Sequence, residues 1–193
     1  MDSSVVTQLI ILVILLILSA FFSSAETALT TVNRIRMRSL AEEGNKKAKI
    51  VLKVTDNSAK MLSAILIGNN IVNLSAASLT TTLAYNLGGS MVAVASGILT
   101  VAILLFGEIT PKTLATLHPE RMSLQYAVVI NLFIKIMTPA IFIINGLSSI
   151  LFFLLRIDPN AQDNSMTENE LRTIVDVSHE DGVIESDEKE MIY

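Results

Sequence analysis

Apolar residues in this chain fall in long runs rather than at the spacing of a one-sided helix. The first run covers residues 5–22, with ten apolar positions in a row from Leu9 to Leu18. A helix needs about 20 residues to cross a bilayer. The apolar character continues through Ser19-Ala20-Phe21-Phe22-Ser23-Ser24-Ala25-Glu26-Thr27-Ala28-Leu29, so residues 5–32 predict a membrane-spanning helix with polar residues in its second half. A cleaved signal peptide does not fit: only Asp2 precedes the run, there is no basic leader, and no small-x-small site opens onto a polar start.

Residues 33–60 are polar and basic, with Arg34, Arg36, Arg38, Lys46, Lys47, Lys49, Lys53 and Lys60. Helix formers dominate and Gly44-Asn45 interrupts them, which predicts surface helices. Basic loops lie on the cytoplasmic side, so the N-terminus is expected outside. Residues 61–85 form a second predicted span, residues 86–90 an uncharged external turn, and residues 91–109 a third span returning inward.

Residues 123–155 are equally apolar but are interrupted at Met137-Thr138-Pro139, just after Lys135. Proline breaks or kinks a helix. One long kinked span would carry the tail outside; two half-helices in a re-entrant hairpin would keep it inside. Lys135 and Arg156 on one side favour the hairpin. Beyond it, Asp158-Pro159-Asn160 ends the apolar part. Thr167 and Glu170 form a capping box, Leu171, Ile174, Val175 and Ser178 follow at helical spacing, and Asp181-Gly182 stops that helix. Ser186-Asp187-Glu188 opens another helix, in whose middle the chain stops, so a further C-terminal part is expected.

Composition sharpens the division. The chain is 51% hydrophobic, and a mean hydropathy of +0.58 is that of a membrane protein. Residues 1–156 carry twelve Lys/Arg against seven Asp/Glu, a net +5; residues 157–193 carry two against eleven, a net −9. The expected organisation is a membrane domain over 1–156 and an acidic cytoplasmic helical linker over 157–193. With no cysteine and two distant histidines, any metal must be held by oxygen, which selects Mg²⁺, Ca²⁺ or Na⁺. No nucleophile–base pair or phosphate loop suggests an enzyme. The basic stretch lacks the interleaved aromatics of a nucleic-acid site, and membrane lipid is its natural neighbour.

The candidate chemistry centres on Phe106-Gly107-Glu108-Ile109-Thr110-Pro111-Lys112. A carboxylate at membrane depth is costly and usually functional, and irregular backbone there must line a cavity or be buried in protein. Ser19 and Ser23 share a face of the first span, and Asn70 and Asn73 share a face of the second, near Gly68. Three helices therefore offer hydroxyls, amide oxygens, freed carbonyls and one carboxylate. Each has a plainer alternative: serines can bond their own helix, amides can bridge helices, Glu108 can pair with Lys112 four residues on, and Glu26 can be a helix-end charge.

Phe22-Ser23-Ser24-Ala25-Glu26-Thr27-Ala28-Leu29, Ile67-Gly68-Asn69-Asn70-Ile71-Val72-Asn73 and the Phe106–Lys112 stretch, in this order, resemble the CNNM/CorC family of magnesium transporters, closest in style to its bacterial CorC branch. The tail from Thr167 to Ile184 looks like the lead-in to that family's nucleotide-binding CBS domains, which lie outside this chain; no nucleotide site is therefore expected in it. The resemblance implies an all-α homodimer in the inner (plasma) membrane. Each subunit would have three transmembrane helices, re-entrant or juxtamembrane helices on the cytoplasmic side, and a cytoplasmic tail. It implies a Mg²⁺ site with Ser23, Asn73 and Glu108 as side-chain ligands, supported by Ser19 and the backbone carbonyls of Asn70 and Gly107. The function implied is Mg²⁺ export, coupled to Na⁺ by alternating access. A Mg²⁺ sensor acting on a partner, and a scaffold using the polar residues as helix glue, are the alternatives.

Overall fold

The structure, a computed structural model, describes residues 3–86, 92–155 and 175–179. All the secondary structure among them is helical. The chain divides into two compact units, Met1–Asn145 and Gly146–Tyr193. In the second, residues 146–155 and 175–179 are helical. The capping box at Thr167, the stop at Gly182, the helix from Ser186 and most of the 86–90 turn lie outside the described residues.

In the first unit α1 spans Ser3–Thr31. Two short helices follow, α2 (Arg34–Glu42) and α3 (Lys46–Asp56). They form where the basic loop predicted them. Asn33 caps α2 by accepting from the Arg36 N–H, and Asn45 caps α3 by accepting from the Lys47 and Ala48 N–H groups. Gly44 separates them at φ +96°, a left-handed conformation that glycine adopts without strain.

Helix α4 (Ser58–Asn86) runs antiparallel to α1. Two contacts establish the register: Gly68 lies against the Phe22 ring, and the Ser19 hydroxyl donates to the Asn69 side-chain oxygen at 3.4 Å in mid-bundle. The third long helix is composite, with α5 (Val92–Ala102), a π-helical segment (Ile103–Ile109) and α6 (Thr110–Leu117). It continues past Ile109, where the third span was expected to end. Pro111 falls in the first turn of α6, directly after the π segment.

Packing follows membrane rather than aqueous rules. Small residues are buried (Ala25, Ala28, Ala64 and Ala115 are fully enclosed), whereas Ile17 and Leu74 are 63% and 71% exposed. Without a hydrophobic driving force between helices in lipid, close approach of small residues and interhelical hydrogen bonds do the work. Met37, Ala48, Val51, Val54 and Met61 extend the buried core to α2 and α3 and tie them to the start of α4.

Helix α7 spans Pro119–Leu155 without a break, so the hairpin expected at Met137-Thr138-Pro139 does not form. Pro139 cannot donate to the Lys135 carbonyl four residues back, and the helix continues across that missing bond; the neighbouring Thr138 hydroxyl adds a bond to the Ile134 carbonyl at 2.8 Å. Four helical stretches are long and apolar enough to cross a membrane, α7 among them. Its direction sets it apart. Tyr126 packs edge-on against Phe21 at a ring separation of 5.1 Å, and Phe133 packs tilted against Phe22 at 5.0 Å. Seven residues of α7 thus map onto a one-residue step of α1, so α7 crosses α1 obliquely. Lys135 then lines a cavity of about 180 Å³ with Lys53, Asn57 and Lys60, at the α2–α3 end of the bundle.

Candidate cation site

Two adjacent serines on α1 have different fates. The Ser24 hydroxyl donates to the Ala20 and Phe21 carbonyls and lies 3.4 Å from the Tyr126 hydroxyl. Ser23, fully buried, has a hydroxyl oxygen with no hydrogen-bond partner. Consecutive helical residues point about 100° apart; Ser24 is turned towards its own backbone and α7, and Ser23 faces the bundle with unused bonding capacity.

On α4 the three asparagines also separate. Asn69 accepts from Ser19. Asn73, one turn further along, has its side-chain oxygen buried without a partner. Asn70 is exposed, so it is Asn69 rather than Asn70 that shares the α1-facing surface with Asn73, and only the Asn70 backbone carbonyl is left to contribute. The signal for Asn69 was its four-residue spacing from Asn73, which matches the Ser19–Ser23 spacing on the opposing helix.

The π-helical segment brings the third helix against this surface. Gly107 is buried, and a Cβ built on it would stand 2.9 Å from the Ser19 Oγ and 3.5 Å from Leu16. π turns recur at functional sites because they rotate side chains and free backbone groups. Here the Thr110 N–H bonds the Leu105 carbonyl, the π spacing. The next nitrogen belongs to Pro111 and cannot donate. A carbonyl at Phe106 (π spacing) or Gly107 (α spacing) therefore loses its helical partner.

Glu108 is half-buried and makes no hydrogen bond or ion pair among the described residues. The alternative Glu108–Lys112 pair does not form; Lys112 bonds Glu26 on α1 at 3.3 Å.

Ser19 thus meets both Asn69 and Gly107, with Ser23 one turn to one side and Asn73 one turn to the other. Helical Cα–Cβ bonds tilt towards the N-terminus. Because α1 and α4 are antiparallel, Ser23 and Asn73 both lean towards the Ser19–Asn69 level. Among the described residues no three His, Asp or Glu side chains cluster, so a cation held here would rest on neutral oxygens and one carboxylate. A buried acceptor without a partner is costly and calls for a ligand or water.

Comparison with known proteins places the chain in a family. A family model described as the cyclin M transmembrane N-terminal domain (CNNM) matches residues 10–188. A UPF0053 protein of Haemophilus influenzae is 39% identical over 170 residues, covering 88% of this chain and 40% of that protein. The UPF0053 inner membrane protein YfjD of Escherichia coli is 37% identical over 160 residues, covering 82% and 37%. A more distant relative, at 25% identity over 200 residues and covering 90% and 42%, is the polyamine export protein of Escherichia coli. The chain spans about two-fifths of the length of these curated relatives. With its apolar helices, buried small residues and a family match over nearly its whole length, this multi-pass membrane chain belongs to the CNNM transmembrane-domain family.

Proposed function

We propose that this chain is the membrane domain of a Mg²⁺ exporter that exchanges the ion for Na⁺ by alternating access. The observation that carries this reading is the pair of buried, unpartnered oxygens, Ser23 Oγ and Asn73 Oδ1, on the interface of two membrane helices. Beside them lie the π segment with its unpaired carbonyl and the uncommitted carboxylate of Glu108. Mg²⁺ takes near-octahedral oxygen ligands at about 2.0–2.1 Å and keeps several waters. Ser23, Asn73 and Glu108 are its proposed side-chain ligands, with Ser19, Asn69 and the carbonyls of Asn70 and Gly107 in support. Family membership points to a membrane transporter or regulator rather than an enzyme.

In this reading α1, α4 and the composite α5–α6 helix cross the inner membrane, with the N-terminus outside and the acidic tail in the cytoplasm. The basic helices α2 and α3 face the cytoplasm, and α7 begins along that surface, as its oblique contacts favour. The functional unit is a homodimer, with CBS domains lying beyond this chain.

The test is Mg²⁺ flux by the purified full-length protein in liposomes, with and without a Na⁺ gradient. Glu108→Ala and Asn73→Ala should abolish both flux and Mg²⁺-dependent thermal stabilisation. Normal binding and flux in Glu108→Ala would overturn the site. Mg²⁺ binding without flux would favour the sensor reading. A second cargo is suggested by the relative named as a polyamine exporter: spermidine flux that Mg²⁺ does not compete with would replace Mg²⁺ as the substrate.

A further inference from the structure

Four side-chain oxygens among the described residues are buried without a hydrogen-bond partner: Gln8 Oε1, Ser23 Oγ, Asn73 Oδ1 and Thr80 Oγ1. All four lie on α1 or α4, two on each helix. Ser23 and Asn73 belong to the site above; Gln8 and Thr80 do not.

Their positions are related by the register. Gln8 lies eleven residues before Ser19 on α1, and Thr80 lies eleven residues after Asn69 on α4. Because the helices are antiparallel and Ser19 bonds Asn69, equal steps in opposite chain directions bring Gln8 and Thr80 to one level. Eleven residues make just over three turns, about 16 Å. Both residues therefore stay on the faces that carry Ser19 and Asn69. Exposure agrees: Leu12, Leu15 and Leu16 on the same side of α1 are partly buried, whereas Ile10, Ile11, Val13, Ile14 and Ile17 are exposed.

Thr80 also departs from a pattern that nine other helical threonines here follow. Thr27, Thr30, Thr31, Thr81, Thr82, Thr100, Thr113, Thr116 and Thr138 each donate to the carbonyl four residues back. This bond is the cheap way to satisfy a hydroxyl in a membrane helix. Thr80, only 6% exposed, does not make it. Ser23 departs from the habit of its neighbour Ser24 in the same way. The two hydroxyls that turn away from their own backbone both face the α1–α4 interface.

We infer that Thr80 and Gln8 form an outer cation subsite, continuing the central site along the α1–α4 interface towards the end of the bundle remote from α2 and α3. Cα–Cβ tilt directs Thr80 back towards Asn73 and the longer Gln8 onward towards the surface. The oxygens then stand at successive heights, as a departing cation needs when it exchanges ligands for water in steps. Neutral oxygens alone make a weaker site than one containing Glu108, which suits release. The identity of the cation rests on the Mg²⁺ reading above.

These 193 residues contain no cysteine, so a thiol placed here is the sole one once any cysteine elsewhere in the full-length protein is replaced by serine. In the full-length protein in liposomes, Thr80→Cys should react from the external side with the small cationic reagent 2-aminoethyl methanethiosulfonate, and Mg²⁺ should slow that reaction about fivefold or more. Thr80→Val and Gln8→Leu should retain Mg²⁺-dependent thermal stabilisation, which reads the central site, and lose about tenfold in flux, as expected for one ligand. Failure of Thr80→Cys to react, or reaction indifferent to Mg²⁺, overturns the subsite, as does wild-type flux in the double variant. If Mg²⁺ protects Thr80→Cys but no preparation moves Mg²⁺, the subsite stands and the transport reading fails.

Discussion

Gly107 rests on Ser19: a methyl group added to the glycine would stand 2.9 Å from the serine oxygen. The π-helical turn can approach α1 this closely only because no side chain intervenes. Gly107→Ala should push the two helices apart at a cost of about 1–3 kcal/mol and abolish cation-dependent thermal stabilisation while the fold persists. Unchanged Mg²⁺ stabilisation in this variant would mean that the contact is packing alone.

A second glycine serves packing alone. A Cβ on Gly68 would lie 2.7 Å from the Phe22 ring and 2.9 Å from that of Phe133, two rings already in contact at 5.0 Å. Gly68→Ala should cost about 1–3 kcal/mol. Phe133→Ala in the same chain should recover part of that cost, a coupling that a double-mutant cycle of thermal midpoints would reveal. Strict additivity would contradict the three-way contact.

Lys112 and Glu26 are 44% and 38% exposed where they pair. Exposed pairs contribute about 0–1 kcal/mol. Lys112→Ala should therefore leave Mg²⁺ binding near wild type, while Glu108→Gln should remove it. Equal losses in the two variants, measured by calorimetry, would return Glu108 to the role of a surface partner of Lys112.

Asn45 accepts from two backbone N–H groups, at 3.0 and 3.2 Å. Asn45→Ala should cost about 1 kcal/mol, seen as a lower thermal midpoint with Mg²⁺ stabilisation intact. A loss of Mg²⁺ response would show that α3 does more than brace the end of the bundle.

The oblique course of α7 has a topological consequence. Arg121 and Ile144 are separated by about 34 Å of helix, enough to span the hydrocarbon core. If α7 lies along the inner surface, Arg121→Cys and Ile144→Cys should both be modified by impermeant reagents from the cytoplasmic side only. Modification from opposite sides would make α7 a fourth crossing.

Local chemistry was legible without a structure. Long apolar runs marked the membrane helices, Asn33 and Asn45 sit where α2 and α3 are capped, and Gly44 divides them. These features rest on neighbours in the chain, which the sequence displays directly. The region around Pro111 was legible as irregular, but its form as a π segment was not, because the extra residue per turn depends on how closely Gly107 can approach α1. Pro139 read as a break, yet helix continuity there depends on what else can satisfy the backbone.

What the sequence determined by itself is the position of the apolar runs and of the basic surface helices, the charge division and the oxygen-only chemistry of any cation site. Only the tertiary structure decided which polar residues meet. Helical periodicity relates Ser23 to Ser19 and Asn73 to Asn69, but it does not say how one helix is rotated against another. In a water-soluble helix the apolar stripe supplies that answer. Here the helices are apolar on nearly every face, and rotation is settled by where Gly68, Gly107 and the buried alanines let backbones approach. That is why Ser23 faces the interface and Ser24 does not, why Asn69 displaces Asn70, and why Lys112 pairs with Glu26, leaving Glu108 uncommitted.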